Sequence, residues 1–305
     1  MGRTLLIGGR TGAWREWLRT NRKGRDLICL DPAEPNYGTP GRLVLVRGDK
    51  TVAWRFFGSL DPMRSPHTLI AATMELGALA DEDAIILSFP YRPTPLLRQT
   101  AYLLAELTRP TAILIESGQQ IPLNGWPLGP EDISLEGGFP EVVLNAQRKA
   151  QWLALLQMCN PHEVDLRNVS ILGTRLGSGQ SVTESVHKLN GFKTISYAEV
   201  CGKHLFVVAE DEPDAPALSH ALDNFHCEKA TIVAPSAYRY LLCSFARESG
   251  EDFGMGIIRE IEWDSFTATV TCNAIPPAPV RILKIGSQRV DADGKEMGEL
   301  RPWQV

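Results

Sequence analysis

Along the first 117 residues, short and almost wholly apolar runs alternate with longer stretches whose apolar residues recur every three or four positions. The apolar runs are TLLIGG (4–9), DLICLD (26–31), AIILSFP (84–90) and TAILIES (111–117). The stretches between them at 13–21, 67–80 and 96–108 have helical spacing, and RLVLV (42–46) with TVAWRFF (51–57) alternates like a pair of strands. Continuous apolar strands separated by helices predict an α/β domain with a mostly parallel sheet covered on both faces. A Gly- and Pro-rich stretch, 118–140, is expected as a loop before a helix at 142–158.

From about 166 the pattern shortens into alternating runs broken by turn residues, such as HLFVVAE (204–210), YLLCSFA (240–246) and TATVTC (267–272). These predict a second, β-rich domain, so the expected organisation is 1–165 followed by 166–305. With 305 residues, 44% hydrophobic and 22% charged, the chain has the composition of a globular protein with room for two cores. A formal net charge of -5 opposes broad, unspecific binding to nucleic acid. One local exception is the stretch 3–25, with seven basic residues against Glu16, a candidate basic groove. Six cysteines without a CxxC pair argue against structural zinc and for a reducing, cytoplasmic setting. The first apolar run is too short for a signal segment or a membrane span, so no membrane association is expected.

The stretch LLIGGRTGAW (5–14) has the outline of a phosphate-binding loop: strand, glycine turn, helix. A working loop reads G-x-x-x-x-G-K-[ST], its Lys neutralising phosphate and its hydroxyl holding Mg²⁺. Here Gly8 and Gly12 enclose three residues, and Ala13 and Trp14 stand where the Lys and the hydroxyl belong. A bare helix N-terminus flanked by Gly8, Gly9, Arg10, Gly12 and Arg15 still has the elements to hold an anion. The plainer reading is a strand–turn–helix with no ligand. Trp14 and Trp17, three apart, read as core before they read as base-stacking platforms, and Trp14 is placed to plug the pocket. LGTRLGSGQSVT (172–183) mimics a second phosphate loop but has Gln for Lys and no helix, and is expected as a turn. His220, Asp223, His226 and Cys227 are the closest group of possible metal ligands; their spacing points to a structural or surface role, and no metal is expected.

The segment 241–300, with GMGIIREI and VRILKIGSQR at its heart, resembles the closing domain of the polynucleotide 5′-hydroxyl kinase family. That family includes RNA kinases and the kinase-like subunit of the pre-mRNA cleavage complex. Other landmarks of the family follow in order. Its D-x-D-x-G-Q strand end resembles DPAEPN (31–36), where Asp31 keeps the first acid, Ala33 replaces the second and Asn36 stands for Gln. Its Ser-Pro turn resembles FFGSLDPMRSP (56–66). Its T-x-G-W clasp falls on Ser88 to Tyr91, retaining a hydroxyl and a ring, and its lid of two arginines falls on Arg148 with Trp152 in the second place.

The resemblance implies a phosphate-loop α/β fold, and six departures at the catalytic positions imply a kinase fold kept for another purpose. The expectation is a binding or scaffold protein in RNA processing, with RNA or a protein as partner and no cofactor. The alternative is an active polynucleotide 5′-hydroxyl kinase using ATP and Mg²⁺, with Asp31 and Arg148 as catalytic groups and Arg10 or Arg15 in the place of the Lys. A third reading is a nucleotide sensor that binds without transfer. In either of these the pocket is Gly8, Gly9, Arg10, Gly12, Arg15, Asn36, Ser88 and Tyr91.

Overall fold

The computed structural model describes residues 2–117, 121, 123, 125–129, 133, 135, 139–192, 194–274 and 280–300. The chain forms two compact units, Met1–Trp152 and Leu153–Val305. Much of the stretch 118–140, expected as a loop, lies outside the described residues.

The first unit runs β1 (Thr4–Ile7), α1 (Arg15–Asn21), β2 (Leu27–Cys29), β3 (Arg42–Arg47), β4 (Lys50–Phe56), α2 (Pro66–Leu79), β5 (Ile85–Leu87), α3 (Pro95–Thr108), β6 (Ala112–Ile115) and the first three turns of α4 (Glu141–Gln157), a helix that continues across the boundary at Trp152. Its sheet has the order β4-β3-β2-β5-β1-β6. β2, β5, β1 and β6 are parallel, and β3 and β4 close one edge as an antiparallel hairpin.

The near-continuous apolar runs are explained by two covers. Leu5 and Ile7 of β1 join a cluster with Leu69 and Leu76 of α2 and Leu97 and Leu104 of α3. Leu6, pointing the other way, joins Trp14, Leu18, Val44 and Leu87. Strand alternation therefore sends successive side chains into different cores, and neither face tolerates a polar residue. Helix ends follow local chemistry: the Thr94 hydroxyl accepts from the Leu97 N–H, with Pro95 in the first turn.

The second unit runs β7 (Asn160–Asp165), β8 (Ser170–Leu172), β9 (Gln180–Ser181), α5 (Thr183–His187), β10 (Ile195–Cys201), β11 (His204–Ala209), α6 (Ala215–Asn224), β12 (Lys229–Val233), β13 (Leu241–Ala246), β14 (Asp252–Glu262), β15 (Thr267–Cys272), β16 (Ile282–Val290) and β17 (Glu296–Glu299). It contains a four-stranded sheet, β12-β11-β10-β9, and a seven-stranded one, β17-β16-β13-β14-β15-β7 with β8 on β16. In the larger sheet Gly256 is paired with both Cys243 and Cys272, and a Cβ there would sit 1.9 Å from the Thr271 carbonyl oxygen.

Two features escaped the sequence pattern. β7 pairs with β15 along its whole length, so the β-rich unit starts ahead of residue 166. Asn160–Asp165 buries only Val164, which leaves no alternation to see. Helix α6 sits among strands; Asp214 caps it through the Ala217 N–H, and Ala217 and Ala221 are its buried side.

Candidate functional site

The glycine loop follows β1 and turns into α1 with positive φ at Gly8, Gly9 and Gly12. At Gly9 a side chain is excluded twice over, by φ and by the Ala13 methyl 2.9 Å from where a Cβ would lie. The loop sits at the carboxyl ends of the parallel strands, where α/β sheets place their ligands. One of its donors is already engaged: the Gly9 N–H donates to Glu116 Oε2 at 2.7 Å. Glu116 directly follows β6, the strand beside β1. A carboxylate of the chain therefore occupies an amide that a phosphate would need.

Trp14 fills the rest. Its ring is only 2% exposed, packs with Leu6, Leu18 and Leu87, and donates Nε1–H to the Gly8 carbonyl at 2.8 Å. Trp17 meets it edge to face at 6.0 Å between ring centroids. What remains among Gly8, Arg10, Gly12, Arg15, Asp31 and Ser88 is a cavity of about 10 Å³. That is room for about one water molecule and none for a phosphate group.

Around this cavity Arg15 and Glu34 form an ion pair, and Asp31 is held by neutral donors. Asp31 is buried and accepts from the Thr11 hydroxyl at 2.8 Å and the Ala33 N–H at 3.0 Å. Burial, then the nearby Glu34 charge, pushes its carboxyl up to about 7, against the pull of Thr11, Ala33 and Arg148. Glu34, with a side chain 1% exposed, pairs with Arg15 at 3.0 Å and accepts from the Asn36 N–H. Arg15 also donates to Gln147 Oε1 at 3.1 Å. Each Asp31 oxygen and one Glu34 oxygen thus already has a donor. Among the described residues no group of three or more candidate ligands is placed to hold a metal.

The site residues expected from sequence divide into those the fold gathers and those it does not. Gly8, Arg10, Gly12, Arg15, Asp31 and Ser88 line the one cavity, with Arg10 exposed at its rim. Gly9 is bound to Glu116, and Asn36 to Glu34. Ser88 turns its hydroxyl to the Phe89 carbonyl. Tyr91 lies apart from the cavity, its ring in the core beneath α2 and α3 and its hydroxyl without a partner among the described residues. Arg148 on α4 is buried and donates to Glu141 and Asn145.

Five of the seven basic residues in the stretch 3–25 are tied to acceptors of the chain itself, and Arg10 and Lys23 are exposed. Arg3 donates to the Gly77 carbonyl, Arg22 to Val46, Arg25 to Asp83 and Gly2, and Arg15 and Arg19 pair with acids. Arg3, Arg22 and Arg25 brace the sheet and its turns through backbone carbonyls.

Sequence reasoning missed Glu34, Thr11 and Glu116. Glu34 had a signal, since it stands one position beyond Ala33, the place where a second acid was sought. Glu116 had none, because its partner lies 107 residues away. The second glycine-rich stretch is likewise closed: the Gly177 and Ser178 N–H groups and the Ser178 and Tyr197 hydroxyls all donate to the fully buried Glu199 carboxylate.

No family profile matches the chain, and no curated protein matches it. Solved structures do. The wild-type Clp1p–Pcf11p complex aligns at a TM-score of 0.53 and 12% identity, covering 94% of this chain and 74% of that one. A second structure, of the extended Pcf11p–Clp1p interface and a point mutant with ATP loss, aligns at 0.52 and 13%, covering 94% and 75%. At this identity the likeness is one of fold. The chain has a Clp1-like fold.

Among the described residues no helix is long and apolar enough to cross a membrane.

Proposed function

We propose that this chain is a kinase-fold protein of the polynucleotide 5′-hydroxyl kinase type that has lost phosphoryl transfer and serves as a binding or scaffold protein in RNA processing. The reading rests on one observation above others: the glycine loop is filled by its own side chains, Glu116 on the Gly9 amide and Trp14 over the Gly8 carbonyl. Phosphoryl transfer is catalysed mainly by positioned positive charge. Here Arg15 is spent on Glu34, and two buried carboxylates stand where a triphosphate would bring four negative charges.

The likeness to structures in which Clp1p is bound to Pcf11p supports a protein partner. The order of sequence landmarks supports the kinase family and its phosphate-loop ancestry. Six cysteines, all free, support a reducing compartment and hence the cytoplasm.

The test is direct. Purified protein incubated with γ-labelled ATP and 5′-hydroxyl RNA or DNA is expected to transfer no label. ATP with Mg²⁺ is expected to leave the melting temperature unchanged, since only a ligand of the folded state raises it. Labelled product that disappears in an Asp31→Ala variant overturns the proposal in favour of an active kinase. A nucleotide-dependent rise in melting temperature without transfer replaces it with a sensor.

A further inference from the structure

A cleft of about 800 Å³ opens in the second unit, within the size range of ligand pockets. One wall is aromatic. Tyr197 stacks on Phe266 at 4.8 Å and 11°, and Trp263 leans on both and wedges edge-on against Tyr238. The Tyr197 hydroxyl is tied to Glu199 at 2.9 Å, so the wall is rigid before any ligand arrives.

Two departures from regular backbone shape this cleft. The pairing of β10 with β11 shifts register between Ile195 and Tyr197, a bulge at Ser196. Strict alternation would send Ser196 and Tyr197 to opposite faces, yet both line the cleft. In the turn from β14 to β15, Phe266 has φ of 50°, a left-handed conformation that is costly for a bulky residue. That conformation brings Phe266 onto Tyr197. Independent irregularities in two sheets thus converge on one surface.

The charges around the cleft select its ligand. Glu184 and Asp264 are exposed and make no ion pair among the described residues. Of the basic residues lining it, Arg167 is already held by the Asp165 carboxylate and the Ser265 carbonyl, and His187 is exposed. Hydroxyls of Ser185 and Ser196 also line the cleft without partners among the described residues. β9 covers the outer edge of β10 at Glu199 and Val200, and Ala198 bonds to Val182 and Thr183; before Ala198, at Ile195–Tyr197, that edge has no strand beside it among the described residues.

We propose that this cleft binds an extended basic peptide of a protein partner, a lysine or arginine side chain lying on the aromatic wall with Glu184 and Asp264 as its counter-charges. Cation–π contact and charge supply selectivity, and the free edge of β10 supplies main-chain hydrogen bonds. A nucleic acid would face the same aromatic rings but two unpaired carboxylates. The proposal does not depend on the state of the glycine loop.

Fluorescence anisotropy on the full chain tests it, with labelled hexapeptides alternating arginine with leucine or glutamate with leucine, and a labelled single-stranded RNA hexamer. The arginine peptide is expected to bind, and the glutamate peptide and the RNA to stay free at the same protein concentration. The double variant Glu184→Lys/Asp264→Lys should weaken the arginine peptide by about tenfold or more, and Ser185→Trp, which fills the cleft from an exposed position, should do the same. The variant Glu82→Lys/Glu106→Lys changes net charge equally on exposed acids of the first unit and should leave binding within about twofold. Equal weakening in both double variants, absence of arginine-peptide binding, or preference for RNA or the glutamate peptide each overturns the proposal.

Discussion

The chain carries two glycine-rich loops that read alike, and the fold closes them differently. The first, at 8–14, leaves a parallel strand and enters a helix, the topology of a nucleotide site. It is closed by an indole on the Gly8 carbonyl and by a carboxylate from the end of β6 on the Gly9 amide. The second, at 177–181, runs into β9 and is followed by the short helix α5, which the sequence did not suggest; its Gly177 and Ser178 amides are held by Glu199 from within β10, the strand beside β9. Backbone N–H groups gathered by glycines bind an anion in both cases. Which anion depends on whether a carboxylate of the same chain reaches them first. The first loop lies at the carboxyl ends of parallel strands, with Glu116 on its Gly9 amide and Trp14 on its Gly8 carbonyl. The second is a structural turn whose anion is built in.

This contrast is sharpest in its expected energetics. Glu199→Ala takes the acceptor from the Gly177 and Ser178 N–H groups and the Tyr197 hydroxyl and empties a fully buried side-chain position, and should lower the unfolding free energy by about 4 kcal/mol in urea or guanidinium titration. Glu199→Gln, which keeps an acceptor there, should cost clearly less.

The first loop should instead betray itself through pH. Asp31 ionises near 3.8 in the unfolded chain and near 7 in the folded one. Between these values the folded state holds a proton that the unfolded state has lost, so stability falls as pH rises from 4 to 7. The penalty is complete above 7, amounts to about 4 kcal/mol and is absent below about 4. Asp31→Asn should flatten that dependence, with melting temperatures converging with wild type in acid and exceeding it at pH 8.

Trp14→Ala should cost about 4 kcal/mol, because the ring is buried and the cavity it leaves is lined by rigid strands. Glu116→Ala should cost about 2 kcal/mol, through the Gly9 donor left behind. If Glu116→Ala proves as costly as Glu199→Ala, the contrast between a plugged site and a locked turn fails.

Much of the first unit could be read directly from sequence. The runs at 26–31, 84–90 and 111–117 became β2, β5 and β6, and the helical spacing at 96–108 became α3. The mostly parallel pairing also followed, since strands covered on both faces are apolar throughout, whereas the strand order was not legible. The second unit was harder to read. Its strands were visible where one face is buried, as in the alternation of TATVTC, and invisible in NPHEVD, which buries one side chain. The candidate site was legible as to place but not as to state. Gly8, Gly12, Arg15 and Asp31 gather around one cavity, yet Tyr91 belongs to the core, and Arg3, Arg22 and Arg25 of the basic stretch brace the sheet.

By itself the sequence determined the kinds of element, their order and the missing lysine and hydroxyl of the first loop. These are local properties, written in periodicity and in the identity of adjacent residues. The tertiary structure alone decided what the glycine amides hold, which arginines are spent and where Phe266 meets Tyr197. Each of these joins groups far apart in the chain, and a buried donor accepts whichever acceptor the packing delivers within about 3 Å.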